Sequence, residues 1–302
     1  GQYHVGGAQR EVVSFSLSKL FNDGDSSLTF GYTHQNIDMI CSMQSSTSHS
    51  NYGKCPASDF NNRVATRSIY ETEHRFFATL SSTHYFFGAD KPTTFNLFLE
   101  RKSGLPGTLT FDTYSSPGRY KTQAFGYERR VNDDSAHLLY IPNGLDDPLV
   151  CWVSCSNPNN AVGSEILNLL YNTYGLERFK GRILPPGVFE FPWQTSLDLK
   201  ITQILPGFRD DDGFVISLGI ENLLNLIDDE EGVIRYGAFD GKIDVFDFQL
   251  TSDYSKYIFG NSRGADYAFR YNPSNPYELR KSAVNSIWRA QLGVTYKFSL
   301  SF

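Results

Sequence analysis

The chain has 302 residues, a formal net charge of −6, 40% apolar residues and 15% aromatic ones, with 18 Tyr and 24 Phe. Its longest run of like charge is Asp228, Asp229, Glu230 and Glu231, which gives no footing for nucleic acid. No stretch approaches the roughly 20 apolar residues of a membrane-spanning helix, which excludes a helical membrane protein and leaves membrane-crossing strands open.

In chain order, the first readable elements are two alternating strands. Val13, Phe15 and Leu17 face away from Ser14, Ser16 and Ser18, and Leu28, Phe30 and Tyr32 face away from Thr29, Gly31 and Thr33. The tight-turn residues Asn22-Asp23-Gly24-Asp25 lie between them, so the pair reads as a hairpin. A second hairpin runs through Phe76, Ala78 and Leu80, the Gly88 to Pro92 turn, and Phe95, Leu97 and Leu99. A third pairs Leu197, Leu199 and Ile201 with Phe214, Ile216, Leu218 and Ile220 across a turn from Pro206-Gly207 to Asp212-Gly213. The chain then closes on strict alternation, Leu292, Val294, Tyr296, Phe298, Leu300 and Phe302 against Ser, Thr, Lys, Gln and Gly.

Between these strands, short turns alternate with connections of about 35, 90 and 60 residues (35–68, 103–195 and 225–285), far above the few residues usual in compact domains. Scarce aliphatics, abundant rings, one greasy strand face and this loop asymmetry fit an all-β, antiparallel transmembrane β-barrel with short periplasmic turns and long extracellular loops. The middle connection holds one predicted helix, opened by Ser164, with Ile166, Leu169, Leu170 and Thr173 on one face and Gly175 as its stop. That helix either packs across the barrel mouth or stiffens the loop. Cys41 with Cys55 and Cys151 with Cys155 form two close pairs, which as disulfides fit an oxidising compartment; unpaired thiols are the alternative. Seven strands do not close a single-chain bacterial barrel, which takes an even number. Either further strands hide in the connections, at Leu138 to Ile141 or Phe246 to Leu250, or residues 1–302 are the C-terminal portion of a larger barrel domain.

The terminal alternation ending on Phe302 resembles the last strand of bacterial outer-membrane barrels, in which residues placed as Tyr296, Phe298 and Phe302 serve as a signal to the barrel assembly machinery. Further stretches, taken in order, resemble TonB-dependent outer-membrane receptors of the Oar-like branch: Tyr85-Phe86-Phe87-Gly88, Arg101-Lys102-Ser103-Gly104-Leu105-Pro106, Leu138-Leu139-Tyr140-Ile141-Pro142, Pro192-Trp193, Gly219-Ile220-Glu221-Asn222-Leu223-Leu224-Asn225, and Trp288 to Phe302. The resemblance implies an outer-membrane location against lipid and lipopolysaccharide, and a 22-stranded barrel of which these are the last seven strands. It also implies active uptake of a scarce siderophore, glycan or peptide with energy from the TonB complex, passed through a plug domain that this sequence does not contain. No Met, basic start or apolar core opens the chain, so a leader is read as removed or outside this piece.

The strand phases point Glu71, Glu73, Arg75, Glu100, Asp198, Lys200, Glu221 and Lys297 into the lumen, to meet a ligand or to neutralise one another across strands. Trp152, Tyr171, Tyr174 and Trp193 offer rings that stack on a sugar, or that form a girdle or loop core. Asp228, Asp229, Glu230 and Glu231 are weak candidates for Ca²⁺, and Asp210 to Asp212 weaker still, since neither run has the spacing of a dedicated calcium loop. The six His are scattered, and no G-x-S-x-G, H-E-x-x-H or P-loop is present, so the expectation is a non-enzyme without a cofactor. The competing readings are a surface β-sandwich that binds a partner, in which alternation means one buried face, and a passive porin-like barrel.

Overall fold

Seven strands pair in chain order, each antiparallel to the next, into one sheet: β1 Gln9–Phe21, β2 Ser26–Met39, β3 His74–His84, β4 Thr93–Lys102, β5 Gln194–Pro206, β6 Gly213–Glu221 and β7 Arg289–Lys297. Thr66–Arg67 adds a short eighth piece beside the end of β2. The computed structural model describes residues 7–40, 46, 51, 55–57, 64–112, 122–123, 126–127, 138–153, 158–209, 211–236, 241–247, 269–271 and 280–298. The seven strands are those the alternation predicts, and among the described residues β1 and β7 each have one main-sheet neighbour, so the sheet is open.

Its register explains why the alternation was readable. Directly paired residues share a face, and the pairing lines up Leu28 with Leu80, Leu80 with Leu97, Leu97 with Leu199 and Leu199 with Ile220. A second row runs Phe95, Ile201, Leu218 and Leu292. A slip of one residue in any strand would throw its apolar set to the opposite face, so the hydrophobic pattern and the register specify each other. The tight hairpins follow from local chemistry: Asn22 and Asp23 adopt left-handed φ of 52° and 55° ahead of Gly24 at 103°, a turn that Asn, Asp and Gly tolerate best.

The apolar face is not covered. Phe15, Leu17, Leu292 and Val294 are 58 to 71% exposed, and Leu28, Phe30, Leu80 and Leu99 are about 40% exposed. Removing such side chains from water is worth roughly 1.5–3 kcal/mol each, so the sheet has a strong drive to place this face in an apolar surrounding.

The buried core lies elsewhere. All of its described hydrophobic members, among them Leu139, Ile141, Trp152, Ile166, Leu170, Leu184 and Ile243, belong to the long connections, which leave one end of the sheet and fold into a cap. Within the cap Pro106–Asp112 pairs antiparallel with Phe189–Glu190 and parallel with Lys242–Asp247, which ties the second connection to the third. The expected hidden strands are present only as Tyr140–Ile141 and Lys242–Asp247; both serve the cap, and neither extends the main sheet. Residues 248–250 of the second prediction lie outside the described residues.

The predicted helix begins earlier than expected. Helix α1 spans Asn160–Asn168, and the Asn159 side chain, not Ser164, caps it by accepting the Val162 N–H at 3.3 Å. Ser164 instead bonds back to the Asn160 carbonyl, so it sits inside the first turns. A π-turn over Leu169–Thr173 follows and ends at Gly175, whose φ of +65° fits the predicted stop. Gly163 lets the helix lie on Trp152, since a Cβ there would stand 2.7 Å from the indole. The helix therefore packs into the cap's own core. Cys55 is disulfide-bonded and buried, its sulfur 3.2 Å from the Ile40 carbonyl, while Cys41, Cys155 and the Cys151 side chain lie outside the described residues.

Candidate functional site

Two places gather charge. The first is the polar face of the sheet, where a cavity of about 430 Å³ along β3 to β6 is lined by Thr79, Asn96, Phe98, Asp198, Lys200 and Glu221, together with Leu80, Leu97, Leu199 and Ile220. The strand register alone brings these residues together, because Asn96 pairs with Lys200 and Phe98 with Asp198. Lys200 is exposed and has no ion pair among the described residues, whereas Asp198 accepts the Asn222 backbone N–H at 2.8 Å and Glu221 lies 3.5 Å from Arg289. The groove thus offers a cation, a neutral amide and partly committed carboxylates set among apolar walls. Higher on the same face Arg75 and Lys102 both contact Glu100, at 2.6 and 3.2 Å, so the expected lumen charges Arg75 and Glu100 pair with one another. Lys297 pairs with Gly213 at the opposite end of the sheet.

The second place is the rim where the long connections begin. Arg67 donates from Nε to Glu71 at 2.5 Å and from Nη2 to Glu73 at 2.7 Å, and its Nη1 lies 3.8 Å from Glu190 of the cap. Glu71 also accepts the Ile37 N–H at 2.6 Å and is 2% exposed, so both of its oxygens are occupied. Glu71 is thus a buried anchor whose charge pairs with Arg67. The second oxygen of Glu73 turns toward His74 Nε2 at 3.3 Å and His34 Nε2 at 4.0 Å.

Compared with family models, curated proteins and solved structures, the chain matches none.

The aromatic candidates separate clearly. Trp152 is 1% exposed at the centre of the cap and donates its indole N–H to the Leu145 carbonyl at 2.8 Å, so it offers no stacking surface. Tyr171 donates to the Pro142 carbonyl at 2.5 Å and carries Lys180 over its ring at 4.3 Å, and Tyr174 meets Phe189 edge-on; both secure the cap. Trp193 is 41% exposed at the rim, stacked 6.0 Å from His74 and 6.2 Å from Phe76, with Arg101 over its ring. At the hairpin end Phe214 lies 4.7 Å from Tyr296 and 5.4 Å from Phe208, Tyr296 stacks on Phe298, and His84 stacks on Phe86. Rings thus bound the exposed aliphatic face at both ends.

Among the acidic runs, Asp228 to Glu231 form a turn in which Asp228 accepts the Glu230 N–H at 3.0 Å and Asn225 holds the Asp229 and Glu231 carbonyls. Asp212 accepts from the Tyr296 hydroxyl, and Asp210 lies outside the described residues, as does Phe302. Among the described residues neither run gathers three ligand atoms. Among the described residues only His34, Glu73 and His74 bring three potential ligand atoms within 4.8 Å of one another. Sequence reasoning treated these histidines as scattered. The available signal was phase: His34 follows Leu28, Phe30 and Tyr32 on the apolar phase, and His74 precedes Phe76 and Ala78 on theirs.

Proposed function

We propose that this chain forms the wall and extracellular cap of a TonB-dependent outer-membrane receptor of the Oar-like type, a transport protein and not an enzyme. The observation that carries the reading is an exposed aliphatic face, continuous across the paired strands and bounded by aromatic rings at both ends, which is the pattern of an outer-membrane barrel surface. Strands of 9 to 14 residues reach the roughly 9–11 that a tilted strand needs to cross a bilayer. A sandwich would bury its apolar face as its core, whereas this protein's core sits in the cap.

On this reading the apolar face meets lipid and lipopolysaccharide, and the cap selects a siderophore, glycan or peptide outside the cell. The groove carrying Lys200, Asp198 and Glu221 lines the polar interior, and uptake draws on the TonB complex through a plug supplied beyond this chain. The test is fractionation of cells that make the protein, followed by electrophoresis in SDS before and after boiling. Recovery in the outer membrane with a boiling-dependent shift supports the reading; recovery in the soluble fraction with no shift contradicts it.

A further inference from the structure

We propose that His34, Glu73 and His74 form a binding site for one divalent transition-metal ion of the zinc class. This rests on the rim geometry and not on the transport reading.

The two imidazoles are placed by the sheet. His34 of β2 and His74 of β3 are direct cross-strand partners, with ring centroids 5.3 Å apart, so backbone register sets their spacing. His74 Nδ1 is bonded to the Tyr32 hydroxyl at 2.9 Å, and this orients the ring and leaves Nε2 facing Glu73. A ligating histidine held through its other ring nitrogen is the usual outer-shell arrangement of a metal site. Arg67 holds one oxygen of Glu73 at 2.7 Å and leaves the other aimed between the two rings.

Distances and charge point the same way. Ligands about 2.1 Å from a tetrahedral ion stand about 3.4 Å apart. His74 Nε2 and Glu73 Oε1 are already 3.3 Å apart, and His34 Nε2, at 4.0 Å, needs only a small rotation of a side chain that is 40% exposed. Three carboxylates, Glu71, Glu73 and Glu190, surround the guanidinium of Arg67, which leaves an excess of negative charge beside the two imidazoles. A divalent cation balances that excess. Two imidazoles and one carboxylate suit zinc better than calcium, which takes oxygen ligands, and partial exposure leaves a fourth position open to water or to an incoming ligand.

The purified full chain, stripped with a chelator, is titrated with Zn²⁺ by calorimetry and with Co²⁺ by visible spectroscopy. One equivalent of each ion binds, and the cobalt protein shows the intense bands of a four- or five-coordinate site. H34A and H74A each weaken zinc binding by at least about tenfold, and Y32F, which keeps all three ligands, weakens it by about tenfold through loss of orientation. H84A, on the same strand but outside the cluster, leaves it unchanged. The absence of stoichiometric binding to the wild-type chain, or binding equally strong in H34A, overturns the proposal whether or not the variants fold well.

Discussion

The carboxylate of Asp198 on β5 accepts the backbone N–H of Asn222 at 2.8 Å, just beyond the end of β6. Asn222 takes a left-handed backbone with φ 54° and ψ 54°, and its side-chain amide donates to the Gly232 carbonyl at 3.0 Å and the Ser286 carbonyl at 3.1 Å. One asparagine thus joins the sheet to both ends of the last long connection. We expect N222A to destabilise the protein by about 2–3 kcal/mol, from two lost hydrogen bonds and a conformation that suits Asn and Gly. N222G, which keeps the backbone freedom, should cost about 1–2 kcal/mol. Thermal or urea midpoints measure both, and equal midpoints for the two variants would remove the backbone part of this explanation.

The contact between Gly163 and Trp152 predicts how the cap fails. A methyl at residue 163 would meet the indole at 2.7 Å, and overpacking of this kind costs about 1–3 kcal/mol. W152A removes the central ring and should cost about 3–5 kcal/mol. Limited proteolysis of G163A and W152A should cut within 103–193 first, while the sheet's circular dichroism persists.

Tyr140 gives a pH dependence. It is 6% exposed and donates to Asp147 at 2.9 Å, and burial first, then that bond and the Asp147 charge, push its phenol well above the usual tyrosine range. The folded pKa is raised, so the associated stability is fully present below the unfolded value of about 10 and is lost as pH rises through the folded value. Absorbance titration of the folded proteins should show one more tyrosine held above the ordinary value in wild type than in Y140F. Y140F should flatten the alkaline loss of cap stability.

The two faces of the sheet should respond oppositely to charge. On the proposed lipid-facing reading, L199R, in the middle of the apolar row, should destabilise the protein in lipid by about 2–4 kcal/mol, whereas T79K on the groove side should be close to neutral. Urea titration in lipid vesicles separates them.

The sheet was legible because alternation and tight turns are local: Leu197, Leu199 and Ile201 declare their face without reference to any partner. The cap was not, since Tyr140–Ile141 and Arg182–Ile183 pair as two-residue pieces too short to carry a period. Trp152 stayed open between a sugar-stacking ring, a girdle and a loop core because the residues packed with it, Ile166 and Leu170, come later in the chain, across a polar stretch. His34 and His74 carried no motif, and only the register of β2 against β3 brings them together. Glu71 was placed on the polar phase before β3, yet the Ile37 N–H and Arg67 that occupy it belong to other segments.

The most direct test of the account is a scan of single spin labels along β4, residues 93–102, in lipid vesicles, reading collision with oxygen and with a water-soluble nickel chelate. The account predicts a period of two: Phe95, Leu97 and Leu99 positions accessible to oxygen, and Thr94, Asn96 and Glu100 positions accessible to the chelate. Accessibility to the chelate on both faces, or no alternation, would contradict the claim that this sheet meets lipid.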